Sequence, residues 1–336
     1  MVTEIIAGLE NPSAYNHPTA SIQRIITGVS VVFLTGEVAY KFNKPLNLGF
    51  LDFSSLEKRK DQCEKEVKYN SLISPELYLG VVAVTKDQKG KISINGPGQT
   101  IEYAVKMKQI KPNATMDTLL QKNQVTEQNI KMIAAKIHDF HQKALTDEET
   151  SLFGKVESIQ FNWDENFQQT TKYENTFLSS WDARVIQDKV NDFIQQNKAL
   201  FEKRVQARKI KHCHGDFHSA NVFVTPKEIY IFDGIVFNKR FPCSDVIAEI
   251  AFMAMDLDFQ GRKELAEVFV QEYQKLSSDR DIPTLLNFYK CYRAYIRGKI
   301  NCFTSEDTNL TPEEKEKGSV NGKKYFTLAK HYAELL

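Results

Sequence analysis

One segment of this 336-residue chain limits its possible folds and functions more than any other feature. It runs from His214 to Asp233 and reads HGDFHSANVFVTPKEIYIFD. Asp216 stands five residues before Asn221, and a predicted hairpin over residues 222–232 brings Asp233 back beside Asn221. Phosphoryl transfer requires a carboxylate that deprotonates the attacking hydroxyl and oxygen ligands that hold Mg²⁺. The segment therefore predicts a catalytic base at Asp216 and metal ligands at Asn221 and Asp233.

The first part of the chain predicts a small antiparallel sheet that carries one helix. Short β-branched or aromatic runs are separated by turn residues, and a charged segment with periodic apolar residues interrupts them. The predicted strands cover residues 22–26, 31–34, 38–42, 79–84 and 101–107, and the predicted helix covers residues 56–73. We expect this N-terminal lobe to comprise residues 1–107.

Residues 108–336 predict a second, mainly helical lobe that carries the catalytic and substrate residues. From Thr126 to Leu145, apolar residues recur at spacings of three and four, and Thr126 suits a helix start. Further helices are predicted over residues 244–257, 263–276, 283–302 and 312–335. The hairpin of the His214–Asp233 segment is embedded among them.

The composition excludes several classes of partner. Lys plus Arg (44) nearly balances Asp plus Glu (43), so we expect no nucleic-acid partner. The most apolar stretch, residues 246–255, contains Glu249 and is far shorter than the roughly 20 residues of a membrane span. The first residues lack a basic start followed by an apolar run, so we expect a cytoplasmic protein. The five cysteines form no C-x₂-C pair, which favours reduced thiols.

The His214–Asp233 segment resembles the catalytic motif of the aminoglycoside phosphotransferase and choline kinase superfamily. In that motif, H-G-D-x-x-x-x-N precedes a metal-binding Asp at the end of the next hairpin. Segments that resemble an uncharacterised bacterial branch of the superfamily are residues 78–81, 103–107, 214–218, 255–258 and 292–297. The resemblance spans roughly residues 20 to 305. It implies an α+β, two-lobed, protein-kinase-like fold, and the absence of G-x-x-x-x-G-K-[ST] suggests a kinase-only form.

The resemblance also implies that the N-terminal lobe, residues 1–107, binds the nucleotide, and that a lysine and a glutamate in it serve ATP. Val38-Ala-Tyr-Lys41 matches the kinase V-A-I-K pattern, in which the lysine meets the α- and β-phosphates. Lys41 is the candidate, and Lys44 is the alternative. Glu66 on the predicted helix is the expected partner of the lysine, with Glu64 as its rival because the helical phase is uncertain.

Three further features follow from the resemblance. The turn at residues 27–30 is expected to cover the phosphates through backbone N–H groups, with Gly28 and Ser30 as its members. Adenine is expected at a connector that starts at Met107 and ends at Ile110. His218 follows the base by two residues, and it either neutralises the γ-phosphate or orients the loop.

Two positions depart from the pattern of related sequences. Val236 replaces an acidic residue that often follows the last strand, which leaves the number of metals open. Glu249 replaces an Asp in the next helix, but it keeps a carboxylate there. His214 is expected to brace the loop by hydrogen bonds to the backbone.

Together these features predict an ATP- and Mg²⁺-dependent phosphotransferase whose acceptor is a hydroxyl of a small molecule. Aminoglycosides, sugars and amino alcohols are the expected acceptor classes, and Asp256 and Asp258 are candidates to receive a cationic one. The long helical insert, residues 111–209, and the absence of an A-P-E segment after Asp233 disfavour a protein acceptor.

Two other functions compete with this prediction. His212, His214, Asp216 and His218 alternate along the chain and could bind the metal of a hydrolase. However, metallo-β-lactamase-like hydrolases place Asp and His side by side, and Phe217 separates them here. A pseudokinase that binds nucleotide as a regulator is the non-enzymatic alternative, and the intact Asp216, Asn221 and Asp233 count against it.

Overall fold

The computed structural model describes residues 2–49 and 51–336. Contacts between Cα atoms group the chain into two compact units. The N-terminal unit runs to Thr118 and also includes Asn221–Lys239, whereas the C-terminal unit comprises Leu119–Ala220 and Arg240–Leu336. The contacts therefore place the hairpin with the N-terminal sheet. The division at residue 107 into nucleotide-binding and catalytic lobes stays a prediction.

The N-terminal unit is built on a six-stranded antiparallel sheet with the strand order β1-β2-β3-β6-β4-β5. Its strands are β1 (Gln23–Ile26), β2 (Ser30–Leu34), β3 (Val38–Asn43), β4 (Tyr78–Lys86), β5 (Ile92–Ile94) and β6 (Gln99–Lys108). Helix α1 covers Val2–Leu9, and helix α2 covers Leu56–Asn70. The predicted sheet with one helix before β4 is confirmed, while α1 and β5 were not predicted.

Strand β3 shows how the sequence divides its side chains between the two faces of the sheet. Successive side chains of a strand point to opposite faces. Tyr40 and Phe42 are fully buried in a hydrophobic cluster that α1 joins through Ile5. Lys41 lies between them in sequence and points to the opposite face, where it meets a carboxylate of α2.

Two short strands, β8 (Val222–Val224) and β9 (Ile229–Ile231), form the predicted hairpin, with Val222 opposite Ile231. Tyr230 of β9 packs in the same cluster as Cys63 of α2 and Val105 of β6. Ser74 Oγ accepts a hydrogen bond from the Ile231 N–H at 3.0 Å. These contacts fix the residues that directly follow β9.

The C-terminal unit is mainly helical and contains one two-stranded antiparallel sheet, β7 (Ile210–His212) with β10 (Cys243–Asp245). Helix α3 (Met116–Gln121) spans the boundary of the two units. The other helices are α4 (Glu127–Lys143), α5 (Glu148–Ser151), α6 (Val156–Thr170), α7 (Ser180–Gln196), α8 (Lys198–Gln206), α9 (Val246–Phe259), α10 (Lys263–Ser277), α11 (Ile282–Glu306) and α12 (Pro312–Ala333).

Helix α9 lies in the core of the C-terminal unit, and residues 246–257 are all buried. Glu249 and Asp256 are two turns apart, so they lie on the same face of this helix. The apolar composition that the sequence shows here is therefore that of a core helix. Among the described residues, no helix is both long and apolar enough to cross a membrane.

Candidate active site

Lys41 contacts two carboxylates within the N-terminal unit. Its Nζ donates to Glu66 Oε1 at 3.0 Å and to Asp233 Oδ1 at 2.5 Å. The side chain of Glu66 is 4% exposed, whereas that of Asp233 is 51% exposed. The lysine, the helix carboxylate and the predicted metal ligand are thus brought together.

The alternatives to Lys41 and Glu66 lie elsewhere. Glu66 lies on the buried face of α2, and Glu64, two residues earlier, lies on its exposed face. The Glu64 side chain is 56% exposed, and its Oε1 is 3.6 Å from Lys60 Nζ. Lys44 Nζ donates to the Thr27 carbonyl oxygen. The structure therefore favours the Lys41 and Glu66 pair, while the role of this pair in ATP binding stays a prediction.

Burial and charge oppose each other at Lys41. Burial alone lowers the pKa of Lys41, but the charges of Asp233 and Glu66 raise that pKa well above its usual value. Burial raises the pKa of Glu66, and the ammonium of Lys41 partly offsets this effect. The lysine therefore stays charged at neutral pH.

The backbone around Asp233 is held in an unusual conformation. Asp233 has φ of +63°, in the left-handed region that non-glycine residues seldom adopt. Its N–H donates to Tyr78 Oη at 3.0 Å, and the next N–H, of Gly234, donates to Asn70 Oδ1 at 2.8 Å. Asn221 begins the hairpin, and its carbonyl oxygen accepts from the Phe232 N–H at 3.1 Å. Asn221 and Asp233 thus lie together at the open end of the hairpin.

The loop that carries Asp216 is held by buried side chains of the C-terminal unit. Glu249 accepts hydrogen bonds from the N–H groups of His214 at 2.9 Å and Gly215 at 2.7 Å. Asp256 Oδ2 accepts from the Ser219 N–H at 2.9 Å. The two carboxylates of α9 thus fix the loop on both sides of Asp216.

Gly215 meets two requirements of the same loop. Its φ is +84°, and an added Cβ would lie 3.0 Å from Cα of Pro242. Only glycine meets both conditions without strain. His214 Nδ1 lies 3.3 Å from the Asp216 nitrogen, as expected for a histidine that braces the loop.

Asp216 lies among positively charged or protonatable groups. His218 Nε2 is 3.4 Å from Asp216 Oδ2. Burial raises the pKa of Asp216, but His218, Arg297 and His214 together hold it well below its usual value. Burial lowers the pKa of His218, but the charge of Asp216 more than compensates and raises it. Asp216 is therefore ionised at neutral pH, as a general base must be.

A buried polar network that the sequence did not predict extends from the loop. His141 Nε2 lies 3.0 Å from Glu249 Oε2, and His141 Nδ1 lies 2.7 Å from Tyr273 Oη. His141 and Glu249 are each at most 1% exposed. The sequence did offer one indication of this network: His141 and Glu249 are polar residues at positions where the helical pattern expects apolar ones. Arg297 lies in the resembling segment 292–297, but no role in the site was predicted for it.

The residues predicted around the nucleotide occupy three settings. Ser30 is buried, and its N–H donates to Thr27 Oγ1 at 3.0 Å within the turn. Gly28 is exposed, and an added Cβ would meet nothing within 4 Å. Met107 lies within β6, opposite Ala39 of β3 and Tyr78 of β4, so the strand ends one residue later than expected. The roles of Gly28, Ser30 and Met107 stay predictions.

The four residues of the hydrolase alternative do not converge on one point. Among residues 2–49 and 51–336, the group with donor atoms within 4.8 Å of one another is His141, Cys213 and Glu249. His212, His214, Asp216 and His218 supply none of its members. Asp258, a candidate for a cationic acceptor, pairs instead with Lys290 at 2.7 Å.

Comparison with solved structures assigns the fold. The chain has the kinase-like fold of the choline kinase and aminoglycoside phosphotransferase structures. A choline/ethanolamine kinase family protein of Mesorhizobium loti matches with a TM-score of 0.56 and 10% identity, over 100% of both chains. A choline kinase of Cryptosporidium parvum matches with a TM-score of 0.56 and 12% identity, over 99% of this chain and 96% of that one.

A putative aminoglycoside phosphotransferase of Ralstonia eutropha matches with a TM-score of 0.52 and 11% identity, over 99% and 98% of the two chains. At such identities these likenesses show the fold alone. No family model matches the sequence.

The sequence is similar to curated proteins of unknown function. An uncharacterised protein of Mycobacterium tuberculosis is 28% identical over 276 residues, which are 82% of this chain. A Mycobacterium bovis protein matches to the same extent. The alignment covers 54% of each relative, so the chain spans about half the length of the curated relatives it matches.

Proposed function

We propose that this chain is an ATP- and Mg²⁺-dependent phosphotransferase that transfers the γ-phosphate of ATP to a hydroxyl group of a small molecule. The contact of Lys41 Nζ with both Glu66 and Asp233 carries the proposal. The nearly buried Lys41, held by the carboxylate of Glu66, supplies an ammonium group for the phosphates of ATP. The half-exposed Asp233 beside it supplies an oxygen ligand for a cation.

The donor set of the hairpin fits a hard cation. Asp233 offers a carboxylate that is half exposed, and Asn221 offers an amide oxygen at the same end of the hairpin. These two residues would hold Mg²⁺, which when bound neutralises part of the phosphate charge. Lys41 would contact the nucleotide phosphates while Glu66 orients it. Asp216, kept ionised by its neighbours, would accept the proton of the acceptor hydroxyl.

The proposal is tested by ADP formation from ATP in the presence of sugars, aminoglycosides and amino alcohols, with and without Mg²⁺. Mg²⁺-dependent binding of ATP, measured by calorimetry, should be abolished in Asp233→Ala and weakened less in Asn221→Ala. A full charge attracts Mg²⁺ more strongly than an amide dipole. The proposal would be rejected if nucleotide binding did not depend on Mg²⁺. It would also be rejected if the protein bound zinc and hydrolysed ATP at the same rate in Asp233→Ala as in the wild type.

A further inference from the structure

The acidic side chains of α9 are already committed to other groups. Glu249 accepts from two N–H groups of the loop, and Asp256 accepts from a third, that of Ser219. Asp258 accepts from Lys290 at 2.7 Å and from the Tyr332 hydroxyl. A cationic acceptor would have to displace one of these partners, and at Glu249 and Asp256 it would leave a buried N–H group without an acceptor.

Helix α11 brings positive charge to the loop instead. Arg293 Nη1 donates to the Gly215 carbonyl oxygen at 3.2 Å, and Arg293 Nε donates to the Ala248 carbonyl oxygen at 3.1 Å. Arg297 follows one turn later, on the same face of α11. It lies close enough to Asp216 for its charge to depress the pKa of that carboxylate against the effect of burial. The guanidinium carbon is 5.6 Å from the ring centroid of Tyr325, which supports the side chain.

Three of the partly or fully buried arginines of this chain have a carboxylate partner. Arg59 pairs with Glu102 at 2.7 Å, Arg204 with Asp245 at 2.7 Å, and Arg240 with Glu165 at 2.5 Å. Within residues 2–49 and 51–336, Arg262, Arg293 and Arg297 have no carboxylate oxygen within 4.0 Å. The charges of Asp216 and Asp256 act on Arg297 from farther away, and its side chain hydrogen-bonds with Tyr325. The N–H donors of Arg297 are therefore not taken up by a close carboxylate. Such a group is suited to receive an anion from a ligand.

We infer that the acceptor carries an oxyanion, a carboxylate or a phosphate, which Arg297 binds while Asp216 receives the reacting hydroxyl. This inference rests on the proposed phosphotransferase function and narrows its acceptor class. The planar guanidinium presents a fork of N–H donors that matches the two oxygens of such an anion. Acceptors that bear only amines, or no charge, lack the group that this arginine recognises.

Matched acceptors test the inference on the full chain with MgATP. The sets are glycerol, glycerate and glycerol phosphate, then galactose, galacturonate and galactose phosphate, with ethanolamine and glucosamine as cationic members. ADP formation that requires Asp216 should have a kcat/KM at least about tenfold higher for a carboxylate or phosphate member than for its neutral or cationic counterparts. Comparison of kcat/KM between the carboxylate and the phosphate members then shows which of the two anions the acceptor carries.

Arg297→Gln should raise the KM for the preferred oxyanion about 10- to 100-fold, with a smaller change in kcat. Arg297→Lys should recover part of the loss, because the charge stays while the fork is lost. Arg184→Gln is the matched control, since Arg184 is an exposed arginine of α7. Thermal unfolding of each variant checks that it is folded.

The possible results separate the inference from the proposed function. Transfer that requires Asp216 but prefers neutral or cationic acceptors overturns the inference and leaves the proposed function intact. An equal loss of kcat with every acceptor in Arg297→Gln overturns it too, since the arginine would then serve the transferred phosphate. If no acceptor shows phosphoryl transfer that depends on Asp216, both the inference and the proposed function are overturned.

Discussion

The two compact units arrange their functional charges in opposite ways. In the N-terminal unit, one cation, Lys41, lies between two carboxylates, Glu66 and Asp233. In the C-terminal unit, one carboxylate, Asp216, lies among groups that carry or accept protons, with His218 at 3.4 Å. The first arrangement keeps an ammonium charged despite burial, and the second keeps a carboxylate ionised.

The comparison suggests a division of labour that mutations can test. If the N-terminal charges serve the nucleotide, changing them should impair nucleotide binding together with turnover. If the C-terminal charges serve the acceptor hydroxyl, changing them should impair turnover alone. The predictions below run from the largest expected effect to the smallest.

Asp216→Asn should reduce kcat about 10³-fold, because an amide cannot accept the proton of the hydroxyl. The affinity for MgATP should change less than about threefold. Turnover assays and calorimetry measure the two quantities. Asp139→Asn, at a side chain that is 73% exposed on α4, is the control. An Asp216 variant that binds nucleotide poorly would break the proposed division between the two units.

Lys41→Ala should lower turnover about 10²- to 10³-fold and also weaken MgATP binding. Lys41→Arg should fail almost as badly, because a planar guanidinium does not fit between two carboxylates that are placed for a compact ammonium. Glu66→Gln should be milder, since the lysine keeps its charge. The same assays apply, and near-normal turnover of Lys41→Arg would show that reach and shape at this position do not matter.

Glu249→Gln should destabilise the fold by about 1–3 kcal/mol at pH 7, because an amide oxygen cannot serve both loop N–H groups and the amide group adds a buried donor. Turnover should also fall about tenfold or more as the loop of Asp216 shifts. Urea unfolding and turnover assays measure these changes. Glu264→Gln, at an exposed residue of α10, is the control.

The stability effect of Glu249 should depend on pH. Burial raises the pKa of Glu249, but hydrogen bonds and the charges of His141 and His214 lower it below its usual 4.5. The unfolded chain therefore binds more protons just below pH 4.5, so this contribution is complete above that pH and is lost as pH falls through the folded pKa. The difference between wild type and Glu249→Gln should shrink on acidification, and a constant difference would contradict the assignment.

The smallest effects are expected at the two rival positions. Glu64→Gln removes a carboxylate whose i, i+4 contact with Lys60 is exposed, so stability should change by less than about 0.5 kcal/mol. Lys44→Ala loses a bond to the Thr27 carbonyl oxygen and should leave turnover within about threefold. If these two variants instead lose activity, the pairing of Lys41 with Glu66 is not the functional one.

Local pattern was sufficient to predict most elements of this fold. Alternation of apolar and turn residues predicted β2 and β3 to within a residue or two, and a capping box at Thr126 begins α4 where the sequence placed a helix start. The hairpin was predicted because short β runs flank a turn. The α+β kinase-like fold itself followed from the resemblance of the His214–Asp233 segment.

Long-range pairing was beyond such reasoning. Nothing in the pattern of β6 indicates that it lies between β3 and β4, or that β7 pairs with β10 across thirty residues of chain. The network of Tyr273, His141 and Glu249 joins three helices, so its partners are known only when the helices are packed. The phase of α2 decided between Glu64 and Glu66, and a helical phase is set by burial that single-sequence pattern leaves ambiguous.

The division of the chain has a consequence for its synthesis. By its contacts, the hairpin with Asn221 and Asp233 belongs with a sheet whose strands all end by Lys108. During translation the sheet emerges from the ribosome about a hundred residues before the hairpin that joins its hydrophobic cluster through Tyr230. At roughly 5–20 residues per second, the nascent N-terminal unit therefore waits about 6 to 24 seconds for its last segment. The surface around Cys63 and Val105 stays partly uncovered for that interval, which makes it a natural place for chaperones to bind the growing chain.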